Sequence, residues 1–347
     1  MSRPIAVRGR LTLLLTALLL GVSSTVAPAL PADAAPARNR HGDGQGYGYE
    51  HGHGLRLDAR PAHADDAAEP ADTYWTPQRM RAARPAPARK TTRAPRPMTT
   101  PTPPPTTPPS HPFDGLPQVG TFFWTDGNNT GRFCGGTVVR SPHRDLVVSA
   151  AHCLRSPDPK RHLSFVPQYH DGLKPHGIYP VERIYLDQRY YDLGTNAGAR
   201  WDYAVVRLGT REDGAEVEEV TGGFDLLPYP GYGHQNVRLI GYPGSKDTTH
   251  PKPLDCTSST HRYTSTDPAA PGDFLEISCA GYIGGTSGGP FLVRDFTGYA
   301  LIGVIGGYHT GGDFPDVSYS SYFTVDTLAL YLHAVHGDPP ATPRQGV

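Results

Sequence analysis

From Phe113 onward the apolar residues come in short runs, mostly four to eight residues long, each closed by Gly, Pro, Asn or Asp. Runs of that length suit strands better than helices. Candidate strands are Val119–Trp124, Gly136–Arg140, Leu146–Ser149, Leu163–Pro167, Ile178–Leu186, Tyr203–Leu208, Asn236–Gly241, His261–Thr264, Phe274–Cys279, Pro290–Val293 and Ala300–Ile305. No helical segments alternate with them, so an antiparallel barrel or sandwich is expected rather than a βαβ sheet. Only Val325–Val335 reads as a helix: Leu328, Leu332 and Val335 share a face, and Gly337 follows as a stop. About 235 residues follow residue 112, enough for one packed core or two small barrels.

The first 112 residues have a different character. Arg3, Arg8 and Arg10 precede the apolar stretch Leu11–Val22, and Ala32, Asp33 and Ala34 fit a small-x-small cleavage site. Residues 1–34 therefore read as a secretory signal, and the apolar run is short for a membrane anchor of roughly 20 residues. Residues 35–112 are rich in Pro, Ala, Gly and Arg and poor in large apolar side chains, so burial cannot offset chain entropy there. They are expected to form a disordered linker or a removable pro-segment, ending in a Pro/Thr spacer over Thr99–Ser110. His51 and His53 fall in a Gly/His tract, and the basic run Arg79–Arg96 could touch anionic surfaces.

Charge divides along the same line. Residues 1–112 hold 14 Lys/Arg against 8 Asp/Glu, and residues 113–347 hold 18 against 25. An acidic folded region is a poor partner for nucleic acid, whose phosphates need clustered Lys and Arg. No nucleotide loop, redox motif or metal cluster appears, so no cofactor is expected. The four cysteines, Cys134, Cys153, Cys256 and Cys279, lie beyond the leader and allow three disulfide pairings. Zinc is the alternative, but no Cys-x₂₋₄-Cys pair is present and export favours disulfides.

Three segments carry chemistry in the order His, Asp, Ser. They are "SAAHCL" with His152, "WDYAVVRL" with Asp202 and "GGTSGGPFL" with Ser287. A serine hydroxyl needs a base to take its proton as it attacks. Imidazole accepts and returns a proton near neutral pH, and a carboxylate on its other nitrogen fixes the tautomer. Each segment alone is weak evidence; the three together point to nucleophilic acyl transfer.

With "CGGTVV", "LVVSAAHC", "DYAVVRL" and "GGTSGGP" on the page, the region Phe113–Gly337 resembles the chymotrypsin-like (trypsin-fold) serine proteases, particularly the secreted bacterial branch that includes glutamyl endopeptidases. The resemblance implies an all-β fold of two six-stranded antiparallel barrels with a C-terminal helix and the site between them. It implies Ser287 as nucleophile, His152 as general base and Asp202 as orienting partner in a secreted endopeptidase acting on peptide or protein substrates. It also implies backbone N–H donors for the oxyanion at Gly285 and Ser287, and pairing of Cys134 with Cys153. Cys256 and Cys279 then pair by default. A monomer with no membrane insertion after signal cleavage is expected.

The sequence departs from the family at two places. The aspartate that pairs with a freed N-terminal amine in trypsin-type zymogens is Thr286 here, so the oxyanion hole is expected to form without that ion pair. The pocket position that is acidic in trypsin is Gly281, and the Thr and His of glutamyl endopeptidases are Tyr282 and Ile305. Neither charged preference is indicated, and a neutral or apolar residue before the scissile bond is expected. His309 lies close by in a turn. The segment Val304, Ile305, Gly306 and Gly307 is expected to offer backbone groups to an extended substrate. Two other readings compete. Gly285–Gly289 also fits the Gly-x-Ser-x-Gly elbow of α/β-hydrolase esterases, but "GGPFLV" cannot continue as the required helix. A secreted binding module on an inactive protease fold would share the motifs without the chemistry.

Overall fold

The computed structural model describes residues 54–58, 69–87, 107–155, 161–244, 252–296 and 298–337. The expected leader, the His51/His53 tract and most of the Pro/Thr spacer lie outside them. The strands of the first half are β1 (Gly54–Asp58), β2 (Arg84–Pro85), β3 (His111–Pro112), β4 (Val119–Thr125), β5 (Gly131–Val138), β6 (Leu146–Ser149), β7 (Arg161–Pro167), β8 (Tyr179–Asp187) and β9 (Ala204–Leu208). Those of the second half are β10 (Asp225–Leu226), β11 (His234–Gly241), β12 (Leu254–Thr264), β13 (Asp273–Ser278), β14 (Pro290–Asp295), β15 (Gly298–Val304) and β16 (Val317–Ser321).

The first sheet runs β1-β8-β7-β4-β5-β6-β9, and β9 also pairs with β8. That last pairing closes β4–β9 into a six-stranded antiparallel barrel. Its interior is apolar: Phe122, Val147, Phe165, Leu186 and Val206 are fully buried. β1 adds to the outside of β8, and β2 adds in parallel to β5.

The second sheet runs β10-β15-β14-β11-β12-β13-β16, with β3 beside β12. It is not closed, which corrects the expectation of two six-stranded barrels. The reason lies where closure would have to occur. β10 pairs in parallel with Ala300 and Leu301 of β15, leaving β16 only the C-terminal end of that strand. There the Ser320 hydroxyl accepts from Val304 N–H at 2.9 Å, in place of a ladder carbonyl. The approach is close: a Cβ on Gly303 would lie 2.4 Å from Ser320 Oγ. One backbone bond follows, from Gly306 N–H to Tyr319 O at 2.9 Å. A side chain and one bond therefore bridge the gap that a strand ladder would have sealed. Val237, Leu239, Ile277, Phe291 and Ile302 fill the second core.

The sulfur atoms of Cys134 and Cys153 are joined, as are those of Cys256 and Cys279. The first bond spans 19 residues, a loop whose closure is worth roughly 3 kcal/mol on chain-entropy grounds. The final helix, Val325–His336, begins at the Thr324 cap and stops at Gly337, which has a left-handed φ of 68°. It packs Leu330, Ala334 and Val335 into the core of the first barrel. Arg207 on β9 donates to its last carbonyls, Ala334 O at 2.7 Å and Val335 O at 3.0 Å.

Residues 69–87 fall in the stretch where little burial was expected, yet they fold onto the first barrel. Helices Ala71–Tyr74 and Pro77–Ala82 bury Trp75 and Met80, and Ala86 is buried beyond them. Trp75 Nε1–H donates to His162 O at 2.7 Å, and its ring lies 5.4 Å from that of Phe123.

Replacing Ser320 with alanine leaves Val304 N–H unpaired in a fully buried seam. A loss of about 1–3 kcal/mol is expected, measured as a lowered midpoint in urea unfolding; an unchanged midpoint would show that the hydroxyl does not hold the seam.

Candidate active site

Strand β6 ends at Ser149, and the chain turns through Ala151–Leu154, which carries His152. The Cys134–Cys153 bond fixes this turn to β5. Asp202 leaves the one-turn helix Ala199–Trp201 just before β9 and is wholly buried. Its carboxylate is surrounded by donors. Oδ1 accepts from the backbone N–H of His152 at 2.8 Å, and Oδ2 lies 2.8 Å from His152 Nδ1. Oδ2 also accepts from Gly307 N–H at 2.8 Å. A carboxylate in this setting only accepts, so Nδ1 carries the proton and Nε2 presents its lone pair. Nε2 is buried and makes no hydrogen bond among the described residues.

Ser287 sits in the glycine-rich loop between β13 and β14. Its carbonyl accepts from Gly135 N–H of β5 at 2.7 Å, and Gly288 N–H donates to Ile305 O at 2.8 Å. Gly135 adjoins Cys134, whose sulfur reaches Cys153 beside His152. Ile305 adjoins Gly306, where a Cβ would come within 3.1 Å of Asp202 Oδ2. Two short chains of contacts thus bring Ser287 to the His152–Asp202 pair. The hydroxyl of Ser287 is not hydrogen-bonded to Nε2 in this structure, and such bonds often tighten only when substrate is bound.

The preceding loop is held by its own bonds. Thr286 is buried, and its N–H and hydroxyl both donate to Ile283 O, at 3.2 and 2.8 Å. Gly244 N–H donates to Gly284 O at 2.7 Å. Gly285 has a φ of 99°, which side chains rarely adopt, and a Cβ there would meet the Phe133 ring at 2.7 Å and Tyr242 O at 2.8 Å. Among the described residues, neither Gly285 N–H nor Ser287 N–H donates to a protein acceptor. Both are available to a substrate oxygen.

Beside Ser287 opens a pocket lined by Tyr282, Ile283, Ile305, Thr310, Asp313 and Phe314, among others. Burial holds the Tyr282 phenol well above its usual pKa, and its hydroxyl donates to Leu239 O at 2.6 Å. Asp313 Oδ2 lies 2.6 Å from His309 Nδ1, and the other ring nitrogen of His309 faces Asp267 at 3.1 Å. Gly281 is not part of the lining and lies instead against Ser110 and Leu254. Of Val304, Ile305, Gly306 and Gly307, only Ile305 lines the pocket. Their four N–H groups donate to Ser320 Oγ, Gly289 O, Tyr319 O and Asp202 Oδ2, and the carbonyls of Ile305 and Gly307 accept from Gly288 and Thr310 N–H.

Asp114, His170 and Asp171 bring one potential metal ligand atom each within 4.8 Å of the others. Lys252 Nζ already stands 2.6 Å from Asp114 and 3.8 Å from Asp171. That cluster is an ion-pair network on the surface.

Comparison with known protein families finds one that matches residues 134–304, the trypsin-like peptidase domain. The matched span contains His152, Asp202 and Ser287. Residues 134–304 of this chain thus carry a trypsin-like peptidase domain. The structure is similar to that of the protease Anisep from Arthrobacter nicotinovorans, at 21% identity and a TM-score of 0.54, over 65% of this chain and 99% of that one. It is also similar to the thermostable serine protease AL20 from an extremophilic microorganism, at 23% identity and a TM-score of 0.51, over 64% of this chain and 98% of that one. These likenesses show a shared fold. No curated protein sequence matches the chain.

Sequence reasoning overlooked two contributors to the site of this protease domain, Gly135 and Tyr190, and gave a third, Gly307, a different role. Gly135 docks Ser287, and Gly307 completes the shell around Asp202. Tyr190 is fully buried, and its phenol is pushed well up by burial first and by the nearby Asp202 charge second. Only the doubled glycines in "CGG" and "IGG" hinted at close backbone approach.

Adding a methyl group at Gly285 strains its φ and pushes on Phe133 and Tyr242. The Gly285→Ala protein is expected to fold and to lose at least about 10²-fold in serine-directed labelling rate, on the scale of one lost oxyanion donor. Labelling at the wild-type rate would show that the loop tolerates a side chain there.

Proposed function

We propose that the chain hydrolyses peptide bonds with Ser287 as nucleophile, His152 as general base and then acid, and Asp202 as orienting carboxylate. The N–H groups of Gly285 and Ser287 receive the oxyanion. The observation that carries this reading is the buried His152–Asp202 pair, in which every acceptor of the carboxylate is engaged and Nε2 is the one ring atom left for a hydroxyl proton. Ser287 Oγ attacks the carbonyl carbon as its proton passes to Nε2. The same proton then goes to the departing amine, and water repeats the sequence on the acyl-enzyme. The imidazolium formed in each half-reaction is stabilised by Asp202.

The loop that supplies the oxyanion donors is held by Thr286, Ile283 and Gly244, so it forms without an N-terminal amine. The residue before the scissile bond is neutral or apolar: the pocket walls are Tyr282, Ile283, Ile305 and Phe314, and the carboxylate of Asp313 is paired with His309. Two disulfides support action in an oxidising, extracellular setting. No described helix is long and apolar enough to cross a membrane.

A fluorophosphonate probe is expected to label the wild-type chain and not Ser287→Ala. Asp202→Asn is expected to retain the fold and lose about 10⁴ in kcat; loss of less than tenfold would remove Asp202 from the mechanism. In a mixed peptide library, cleavage is expected after neutral residues, and dominant cutting after Arg, Lys or Glu would overturn the pocket assignment.

A further inference from the structure

The N-terminal strap, residues 69–87, ends beside the proposed nucleophile. Phe133 and Gly135 are two apart on β5, so their peptide groups face the same edge, the one β4 does not occupy. Along that edge Gly135 N–H donates to Ser287 O at 2.7 Å, and Phe133 O accepts from Ala86 N–H at 2.9 Å. At the usual rise per residue these two anchor points are about 7 Å apart. Pro85 pairs with Phe133 in parallel register. It also packs at Gly244, where a Cβ would meet Phe133 at 2.5 Å and Pro85 Cγ at 2.7 Å. The pocket proposed for the acyl-side residue is lined by Tyr282, Ile305 and Phe314, and by neither Phe133 nor Pro85.

A substrate seated with its acyl side chain in that pocket must carry its leaving-group residues away from it, past Ser287. The open edge of β5 at Phe133 is the strand edge available to them, and extended peptides add to such edges through backbone bonds. We propose that residues 84–86 occupy the leaving-group side of the cleft, so that the strap is an internal competitor of the substrate's C-terminal half. This rests on the proposed role of Ser287. The strap is fastened well away from the chemistry. Trp75 and Met80 are buried, Tyr74 stacks on His162 at 3.6 Å, and Arg81 donates to Asp171 O at 3.0 Å. Its parallel direction along β5 offers Phe133 a backbone donor without presenting a scissile bond to Ser287.

The test compares two substrates with the same acyl half. One is a p-nitroanilide, with no residues beyond the scissile bond; the other is a quenched fluorescent peptide continuing for four residues. The full chain is compared with Trp75→Ala/Met80→Ala, in which release of the strap is verified by new trypsin cleavage at Arg79, Arg81 or Arg84. It is also compared with Ala86→Pro, which removes the N–H donor to Phe133 and leaves the Trp75 and Met80 anchors in place. Both variants are expected to raise kcat/KM at least tenfold for the long peptide, with the anilide changing less than twofold. A synthetic peptide of residues 69–87 added to the released variant is expected to inhibit long-peptide cleavage competitively. Equal rises on both substrates, or no change in a released strap, would overturn the proposal. A fall on both would show that the strap supports the oxyanion loop through Phe133 instead. Turnover persisting in Ser287→Ala would overturn the site assignment itself, and the strap's role with it.

Discussion

The buried carboxylate of Asp202 is the group around which the structure is arranged. An ionised side chain with no exposed surface is tolerated only where donors replace water. Here they come from both halves of the molecule: two from His152 after β6, and one from Gly307 after β15. Its own N–H donates to Ser321 Oγ on β16, and that hydroxyl donates to Ala199 O. The barrel and the open sheet therefore meet at one anion. Displacing either half would strip donors from a charge that cannot reach solvent, so the demand for solvation and the demand for catalytic alignment coincide.

The two sheets play unequal parts around that point. The closed barrel supplies a stiff frame in which β5, β6 and β9 hold Gly135, His152 and Asp202. The open sheet supplies loops, and its seam between β15 and β16 is stitched by Ser320 rather than by a ladder. Ser287, the pocket wall and the His309–Asp313 pair all belong to that looser half. A rigid acid-base pair facing a nucleophile on a glycine-rich loop divides the labour sensibly: proton transfer needs fixed geometry, and selection needs adaptable walls.

The residue types of the proposed site stand out in the sequence because chemistry fixes them in short motifs. Much of the strand pattern was legible too, wherever apolar runs met turn residues. β16 was not, since Ser318, Ser320 and Ser321 are buried polar residues, the last two with hydroxyls bonded to backbone, and hydropathy cannot distinguish them from a surface turn. The early half of β5 was hidden for a related reason: "GRFCGG" has glycines where close approach to Ser287 and Phe122 excludes a side chain. The helix Gln188–Ala197 has a non-helical Gly194 inside it, which cuts its pattern short. The strap escaped notice because its anchors, Trp75 and Met80, are isolated among Pro, Ala and Arg. Their partners lie some ninety residues on, a relation no local pattern encodes. The closed second barrel came from the resemblance alone; in its place β10 pairs with β15, and Ser320 bridges what remains of the seam.

The final helix has a bearing on how the enzyme can move. It leaves the second sheet, crosses to the first barrel and is clasped there by Arg207, so each half is tied to the other by a covalent return path as well as by packing. A clamshell swing of the two halves would have to pull Leu330, Ala334 and Val335 out of the barrel's core. Opening of that kind is therefore opposed by the same packing that seats the helix.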